Sequence, residues 1–191
     1  GGPGADDLIG NGGRDTASYA TRTTGVVLDL NGVADDGNAS DASGGRRDAL
    51  GADIEVLTGG TGADQLRGDA TGETLDGGPG ADTYAGRGGI DTVTYAGRLA
   101  GVTVDIGAGT ADDGSALDQT GSRRDDVQAD VEALIGGRDA DTLIGDGGAD
   151  RFTTRGDGLR DVVLCGGGTD LVTADALDLL PAADCETVNR G

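Results

Sequence analysis

Apolar residues recur at nine-residue intervals within three blocks of this chain, and glycines recur in the turns between them. The clearest units begin at Gly1, Gly59 and Gly77, and each has the form G-G-x-G-x-D-x-U-x, where U is apolar or aromatic. The glycines permit a tight turn, and x-U-x is a three-residue strand that points one side chain inward. The pattern therefore predicts a turn and a short strand in every unit, with a thin, ladder-like core.

Ten such units occur, in residues 1–18, 59–94 and 136–173. Their inward positions are Leu8, Ala17, Leu66, Leu75, Tyr84, Val93, Leu143, Phe152, Val163 and Val172. Their sixth positions are all acidic: Asp6, Asp15, Asp64, Glu73, Asp82, Asp91, Asp141, Asp150, Asp161 and Asp170. A carboxylate beside inward-aimed turn carbonyls supplies hard oxygen ligands, so each turn is a candidate calcium site.

A longer repeat of 76–77 residues overlies the short one. The turn Gly1–Asp6 returns as Gly77–Asp82, and the segment 25–30 returns as 101–106. We therefore predict a first repeat unit at 1–76, a second at 77–153 and a divergent capping unit at 154–191. Because Gly77–Asp82 follows a full unit, we also expect upstream repeats or another chain, stacked head to tail, to precede Gly1.

The segments 19–58 and 95–135 separate the glycine-rich blocks. Val26, Leu28 and Leu30 alternate with polar residues, as half-buried strands do, and 102–106 repeats the pattern. The Gly/Asp/Ser-rich tips 34–47 and 111–124 are expected to protrude as loops. Helix signals are weak, and residues 175–180 are expected to form at most one turn.

The composition changes the picture in one respect, which is charge. Among 191 residues, 35 are acidic and 14 are arginine, giving a net charge of −21, and only four are aromatic. A chain of this kind stays disordered unless cations offset the repulsion. Nucleic acid and anionic membranes are disfavoured as partners. No apolar run is long enough to span a membrane, and the absence of histidine removes the imidazole base and ligand.

Several residue sets allow two interpretations. The acidic pairs 35–36, 112–113 and 125–126 are either further ligands or solvated loop tips, and the arginine pairs 46–47 and 123–124 either bind an anionic partner or pair with neighbouring Asp. The aromatic residues form either a ladder core or a ligand-stacking stripe. A phosphate-binding role for the turns is disfavoured, because each turn ends in a carboxylate. Cys165 and Cys185 are either a disulfide formed in an oxidising compartment or two separate thiols.

The nonapeptides resemble the RTX (repeats-in-toxin) calcium-binding β-roll family. The resemblance implies an all-β fold, a right-handed parallel β-roll or β-solenoid stabilised by calcium. The cysteine pair adds the expectation of a disulfide-stapled C-terminal cap. The resemblance also implies that calcium lies between each turn and the turn two units later. The pairs so implied are Asp64/Asp82, Glu73/Asp91, Asp141/Asp161 and Asp150/Asp170.

Backbone carbonyls of the turn glycines should complete each shell; those assigned to the metal are Gly59, Gly62, Gly77, Gly80 and Gly136. Asp6 and Asp15 have no nonapeptide partner two units away. Glu73 replaces the usual Asp, and the turn 156–161 lacks two glycines, so their sites depart from the pattern.

The function expected from these features is a calcium-binding, secreted or cell-surface module with a structural or adhesive role, which folds on binding calcium and stacks into larger assemblies. The alternative is a non-catalytic calcium-binding or secretion domain of a secreted hydrolase or toxin. An enzyme is not expected, because no nucleophile–base pair beside a pocket is recognisable.

Overall fold

The fold consists almost entirely of short strands. A computed structural model describes residues 1–154, 156–181 and 184–191, so Arg155 of the third glycine-rich block and residues 182–183 of the predicted cap lie outside the described residues. The strands are β1 Asp7–Leu8, β2 Thr16–Ser18, β3 Val27–Asp29, β4 Ala49–Leu50, β5 Val56–Thr58, β6 Gln65–Arg67, β7 Thr74–Asp76, β8 Thr83–Ala85, β9 Thr92–Thr94, β10 Thr103–Asp105, β11 Asp126–Val127, β12 Ala133–Ile135, β13 Thr142–Ile144, β14 Arg151–Thr153, β15 Val162–Leu164, β16 Leu171–Ala174 and β17 Thr187–Arg190.

All pairing between these strands is parallel, and it builds two layers. One layer is an eight-stranded sheet in the order β17-β16-β14-β12-β9-β7-β5-β2. The other layer consists of three shorter sheets, β1-β4, β3-β6-β8-β11 and β10-β13-β15. Within the nonapeptide blocks, successive strands alternate between the two layers. The expected all-β parallel roll is therefore confirmed.

One buried cluster joins the two layers. It contains every inward residue of the nonapeptides except Leu8, which is partly buried and packs against it. Tyr19 and Tyr95 belong to the cluster, and their hydroxyls donate to Asp48 (2.5 Å) and Asp125 (3.0 Å). The aromatic side chains thus lie in the ladder core.

The tips at 34–47 and 111–124 do not simply protrude, contrary to the expectation. Each contains a 3₁₀ helix, Ala39–Asp41 or Ala116–Asp118. Residues 36–37 form antiparallel bridges with Val27 of β3 and with Asp48, and so lie between β3 and β4. The strand β4 therefore sits between β1 and β3, although it follows β3 in the chain.

Asp36 is fully buried between these strands, so the solvated interpretation is wrong for this residue. Its two carboxylate oxygens accept the backbone N–H groups of Asp29 (2.7 Å) and Leu50 (2.9 Å). Asp113 accepts the N–H groups of Asp105 and Val127 in the same way in the second unit. Both carboxylates replace hydrogen bonds that a sheet neighbour would otherwise make.

Three of the four arginines at these tips make internal side-chain contacts. Arg46 pairs with Asp7 at 2.8 Å, as the ion-pair interpretation predicted. Arg47 and Arg124 instead donate to backbone carbonyls of their own loops, including Gly37 and Ser115 (3.2 Å each).

Residues 175–180 are not helical, and Leu179 forms a parallel bridge with Val162.

A disulfide joins Cys165 to Cys185, with the two Cα atoms 5.3 Å apart. It ties the turn before β16 to the segment before β17, the last strand of the eight-stranded sheet. The predicted disulfide is confirmed. The boundaries 1–76, 77–153 and 154–191 stay a prediction.

Candidate calcium sites in the stacked turns

Parallel pairing stacks the turn carboxylates in columns. Each strand of the eight-stranded sheet is directly preceded by an acidic residue, and the pairing register aligns these residues. This long column is Asp15, Glu55, Glu73, Asp91, Glu132, Asp150, Asp170 and Glu186. The opposite layer carries a short column in three pieces: Asp6 with Asp48; Asp64 with Asp82 and Asp125; Asp141 with Asp161 and Asp178. Neighbouring members follow the strand spacing of about 4.8 Å.

The structure brings together all four carboxylate pairs that the resemblance implied. In each pair, the backbone N–H of the first residue donates to one carboxylate oxygen of the second at 2.8 Å; the pairs are Asp64/Asp82, Glu73/Asp91, Asp141/Asp161 and Asp150/Asp170. Their side chains are buried. The pairing leaves the second oxygen of each carboxylate to be accounted for.

The two members of a pair differ at that second oxygen. In the first turn, the N–H of the second turn residue closes onto it, as Gly60 does on Asp64 (2.6 Å) and Asp146 on Asp150 (3.0 Å). In the second turn no partner among the described residues reaches it. We call these the open oxygens; they are the Oδ2 atoms of Asp82, Asp91, Asp161 and Asp170, and that of Asp15 behaves alike. A buried polar atom without a partner is costly, and a cation would satisfy it.

Backbone carbonyls converge on the same space. A Cβ atom on Gly78 or Gly80 would collide with the carbonyl oxygens of Gly60 and Gly62, and both residues adopt positive φ, 80° and 145°. The carbonyl of Gly77 faces Gly59 in return. Two carboxylates and three carbonyls thus lie at the junction between turns 59–64 and 77–82, and oxygen ligands of this kind fit calcium.

The other three carboxylate pairs differ in how many backbone carbonyls face them. In Asp150/Asp170, the carbonyls of Asp146, Gly148 and Cys165 take the equivalent places. Around Glu73/Asp91, the carbonyls of residues 71 and 86 do so, and the longer Glu side chain keeps the arrangement. Around Asp141/Asp161, the three atoms nearest to a Cβ atom on Gly136 would all belong to Asp141 of its own turn, and none is a carbonyl of the next turn. The glycine-poor turn 156–161 therefore shows the weakest cradle.

Asp6 and Asp15 have partners outside the nonapeptides. The N–H of Asp6 donates to Asp48, and that of Asp15 donates to Glu55, both at 2.8 Å. Both aspartates are half-buried.

Burial dominates the electrostatics of the paired carboxylates. It raises the pKa of Asp82 to about 8 and that of Asp91 to about 7, against the lowering effect of the N–H bond that each accepts. Neighbouring carboxylates add to the increase, and the pKa values of Asp150 and Asp161 rise to about 6. A divalent cation between two such groups reverses both effects, because it stabilises the ionised form. The described residues hold no cluster of three or more metal-binding side chains, so backbone carbonyls must complete each shell.

Sequence reasoning missed three members of the long column, Glu55, Glu132 and Glu186. The sequence does contain a pattern that identifies two of them, because Ala52-Asp-Ile-Glu55 recurs as Ala129-Asp-Val-Glu132, each directly before an x-U-x triplet. These segments lack the glycines of the motif, and so the motif does not identify their acidic residues as members of the column.

Stacked turns with paired carboxylates and converging carbonyls define a calcium-binding parallel β-roll. Comparison with known families finds four copies of the RTX calcium-binding nonapeptide repeat, at residues 1–17, 51–84, 58–93 and 129–158. Over these segments the chain belongs to the RTX calcium-binding repeat family, whose nonapeptides bind calcium. A search of curated proteins found no match. Within the described residues no helix is long and apolar enough to cross a membrane.

Proposed function

We propose that this chain is an extracellular structural module whose folding is driven by calcium bound between paired turns. The observation that supports it best is the set of open oxygens, which are buried carboxylate atoms beside a converging set of turn carbonyls. The metal ligands proposed are the sixth-position carboxylates named above, with the turn carbonyls. No general acid or nucleophile is needed for this role.

Charge explains why folding and binding are coupled. The chain carries a net charge of −21, and folding stacks its carboxylates at strand spacing in two columns. Each calcium ion between two carboxylates leaves the site locally neutral. Because the site exists only in the folded form, the binding free energy adds to stability.

The disulfide and the calcium requirement both favour an extracellular location. A structural disulfide persists in oxidising compartments, and free calcium outside cells is high enough for modules that bind in the range of about 0.1–1 mM. Labelling of thiols in protein isolated from its native location tests this proposal: a reduced pair would contradict it.

A calcium titration tests the central proposal. Circular dichroism and native mass spectrometry should show gain of β-structure together with bound ions as calcium rises to millimolar levels. Magnesium is the matched control, since it demands a smaller, near-octahedral shell and should not substitute. Equal compactness and β-content in chelator and in calcium would contradict the proposal.

The roll also presents an uncovered edge at β1 and β2, with Ile9 67 % exposed. Turn 10–15 has positive φ at the same two positions as turn 86–91, and turn 1–6 shares one such position, Gly4, with turn 77–82; turns 77–82 and 86–91 are both covered by preceding turns. We propose that another RTX unit, upstream or from a second copy, completes half-sites at Asp6 and Asp15. Light scattering in calcium distinguishes these sources, because a monomer at high concentration leaves only the upstream unit.

A further inference from the structure

Two rungs of the short column depart from the calcium motif in the same way. The turns 21–26 and 97–102 carry valine at the sixth position and arginine at the second. They still occupy the column, because Val26 donates its N–H to Asp64 (2.8 Å) and Val102 donates to Asp141 (2.9 Å). The register is therefore that of a calcium turn without its carboxylate.

The arginine of the second unit reaches past the inserted segment to the preceding nonapeptide turn of the same layer, 77–82. Arg98 is 6 % exposed, and its Nε donates to Asp118 at 2.7 Å. Its terminal nitrogen donates to the carbonyl of Gly78, the second residue of turn 77–82. The equivalent carbonyl one turn earlier, that of Gly60, faces the Asp64/Asp82 site. The guanidinium thus binds an oxygen that the motif elsewhere directs at calcium.

The first unit repeats the arrangement. Arg22 donates to the carbonyl of Gly2 (2.9 Å) and pairs with the buried Asp41. Each arginine also lies over the ring of a core tyrosine, Tyr19 or Tyr95, at 5.8 Å and 5.6 Å from the centroid. Two occurrences with the same partners indicate a built arrangement.

The two sequence differences change the net charge of the turn by as much as one bound calcium ion would. Replacing Asp by Val removes one negative charge, and replacing Gly by Arg adds one positive charge, so together they supply the two positive charges of calcium. Two neighbouring carboxylates also have protein partners: Asp118, which Arg98 contacts, accepts from Ser115, and Asp125 accepts from the N–H of Asp82 and the hydroxyl of Tyr95.

From this we infer that Arg22 and Arg98 take the place of calcium at these two junctions, so that the inserted segments stay docked by a protein-borne cation. This inference rests on the proposed calcium function of the other turns. It predicts that the calcium column is divided, with metal only between paired nonapeptide turns.

Counting bound ions by native mass spectrometry at saturating calcium tests the inference. Arg98→Ala leaves the Gly78 carbonyl and the buried Asp118 without their cation, and Asp125 approaches Asp118 beside Gly114. The variant should therefore bind one more calcium ion per chain than the parent. Arg98→Lys keeps the charge and should not gain an ion. Arg138→Ala removes an exposed arginine of the same layer and is the matched control.

A folded Arg98→Ala chain with the parent's ion count would overturn the inference. If that variant does not fold, the ion count of Arg22→Ala tests the inference in its place. The side chain of Arg22 is less enclosed than that of Arg98 (15 % exposed against 7 %), so its removal disturbs packing less. A parent that binds no calcium contradicts the proposed function itself. A parent that binds calcium beside a variant that gains none contradicts this inference alone.

Discussion

Asp82→Asn should change stability in opposite directions with and without calcium. The substitution preserves the shape of the side chain and an oxygen that accepts the N–H of Asp64. It removes the negative charge at the open oxygen. The variant therefore isolates the charge of one calcium ligand from its packing.

Burial of Asp82 gives the first magnitude, and Coulomb's law gives the second. Without calcium, the pKa of Asp82 is raised from 3.8 to about 8, which disfavours the fold by roughly 4 kcal/mol at pH 7. Asparagine relieves this cost. With calcium, a divalent ion about 4 Å from a carboxylate gains roughly 8 kcal/mol at an effective dielectric constant of about 20. The net loss of stability in calcium is then about 4 kcal/mol.

Urea unfolding followed by circular dichroism at pH 7 measures both effects. In millimolar calcium the variant should unfold at lower urea than the parent, and in chelator it should retain more β-structure. Asp112→Asn is the control, because it makes the same charge change on an exposed tip. If Asp82→Asn and Asp112→Asn behave alike in calcium, the placement of the site is wrong.

Three further outcomes are expected. Asp36→Ala should destabilise the calcium-loaded chain by about 1–3 kcal/mol for each backbone N–H left unpaired, whereas exposed Asp35→Ala should not; equal thermal unfolding temperatures would contradict the buried bridge. Gly80→Ala places a side chain at φ 145° against a carbonyl and should weaken calcium binding at least tenfold by calorimetry, while Gly97→Ala, which meets open space, serves as its control. Calcium affinity should fall as the pH falls from 8 to 6, because protons compete with calcium for Asp82. Without calcium, the folded chain should gain stability over the same pH change, since the pKa of Asp82 is higher in the folded than in the unfolded state. An affinity that does not change with pH would show that the carboxylate is ionised before calcium binds.

The regular part of the fold was predictable because each nonapeptide encodes its own turn and strand. A glycine-rich turn followed by one apolar residue needs no distant information, and so residues such as Leu66 and Phe152 were correctly assigned to the core. The pairing of Asp64 with Asp82 followed from the resemblance, since parallel stacking fixes which turns are neighbours.

The inserted segments were not predictable in the same way. Asp36 stands in a sequence that is typical of an exposed loop, and only the doubling back of the chain buries it. Similarly, nothing local marks Arg98 as an internal cation, because its partners Gly78 and Asp118 are each about twenty residues away in opposite directions. These contacts depend on the order in which strands stack.

That stacking order has a consequence for how the roll assembles. Because β4 lies between β1 and β3, the gap beside β1 is filled by a segment that comes later in the chain than its next neighbour. Folding that adds one strand at a time therefore cannot proceed beyond β1 until the chain has turned back and brought residues 49–50 beside it. The closure of this long loop costs entropy before its contacts form. Each unit should consequently assemble in one cooperative step. The smallest segment that folds cooperatively is then a nonapeptide block together with its inserted segment, and not a single nonapeptide.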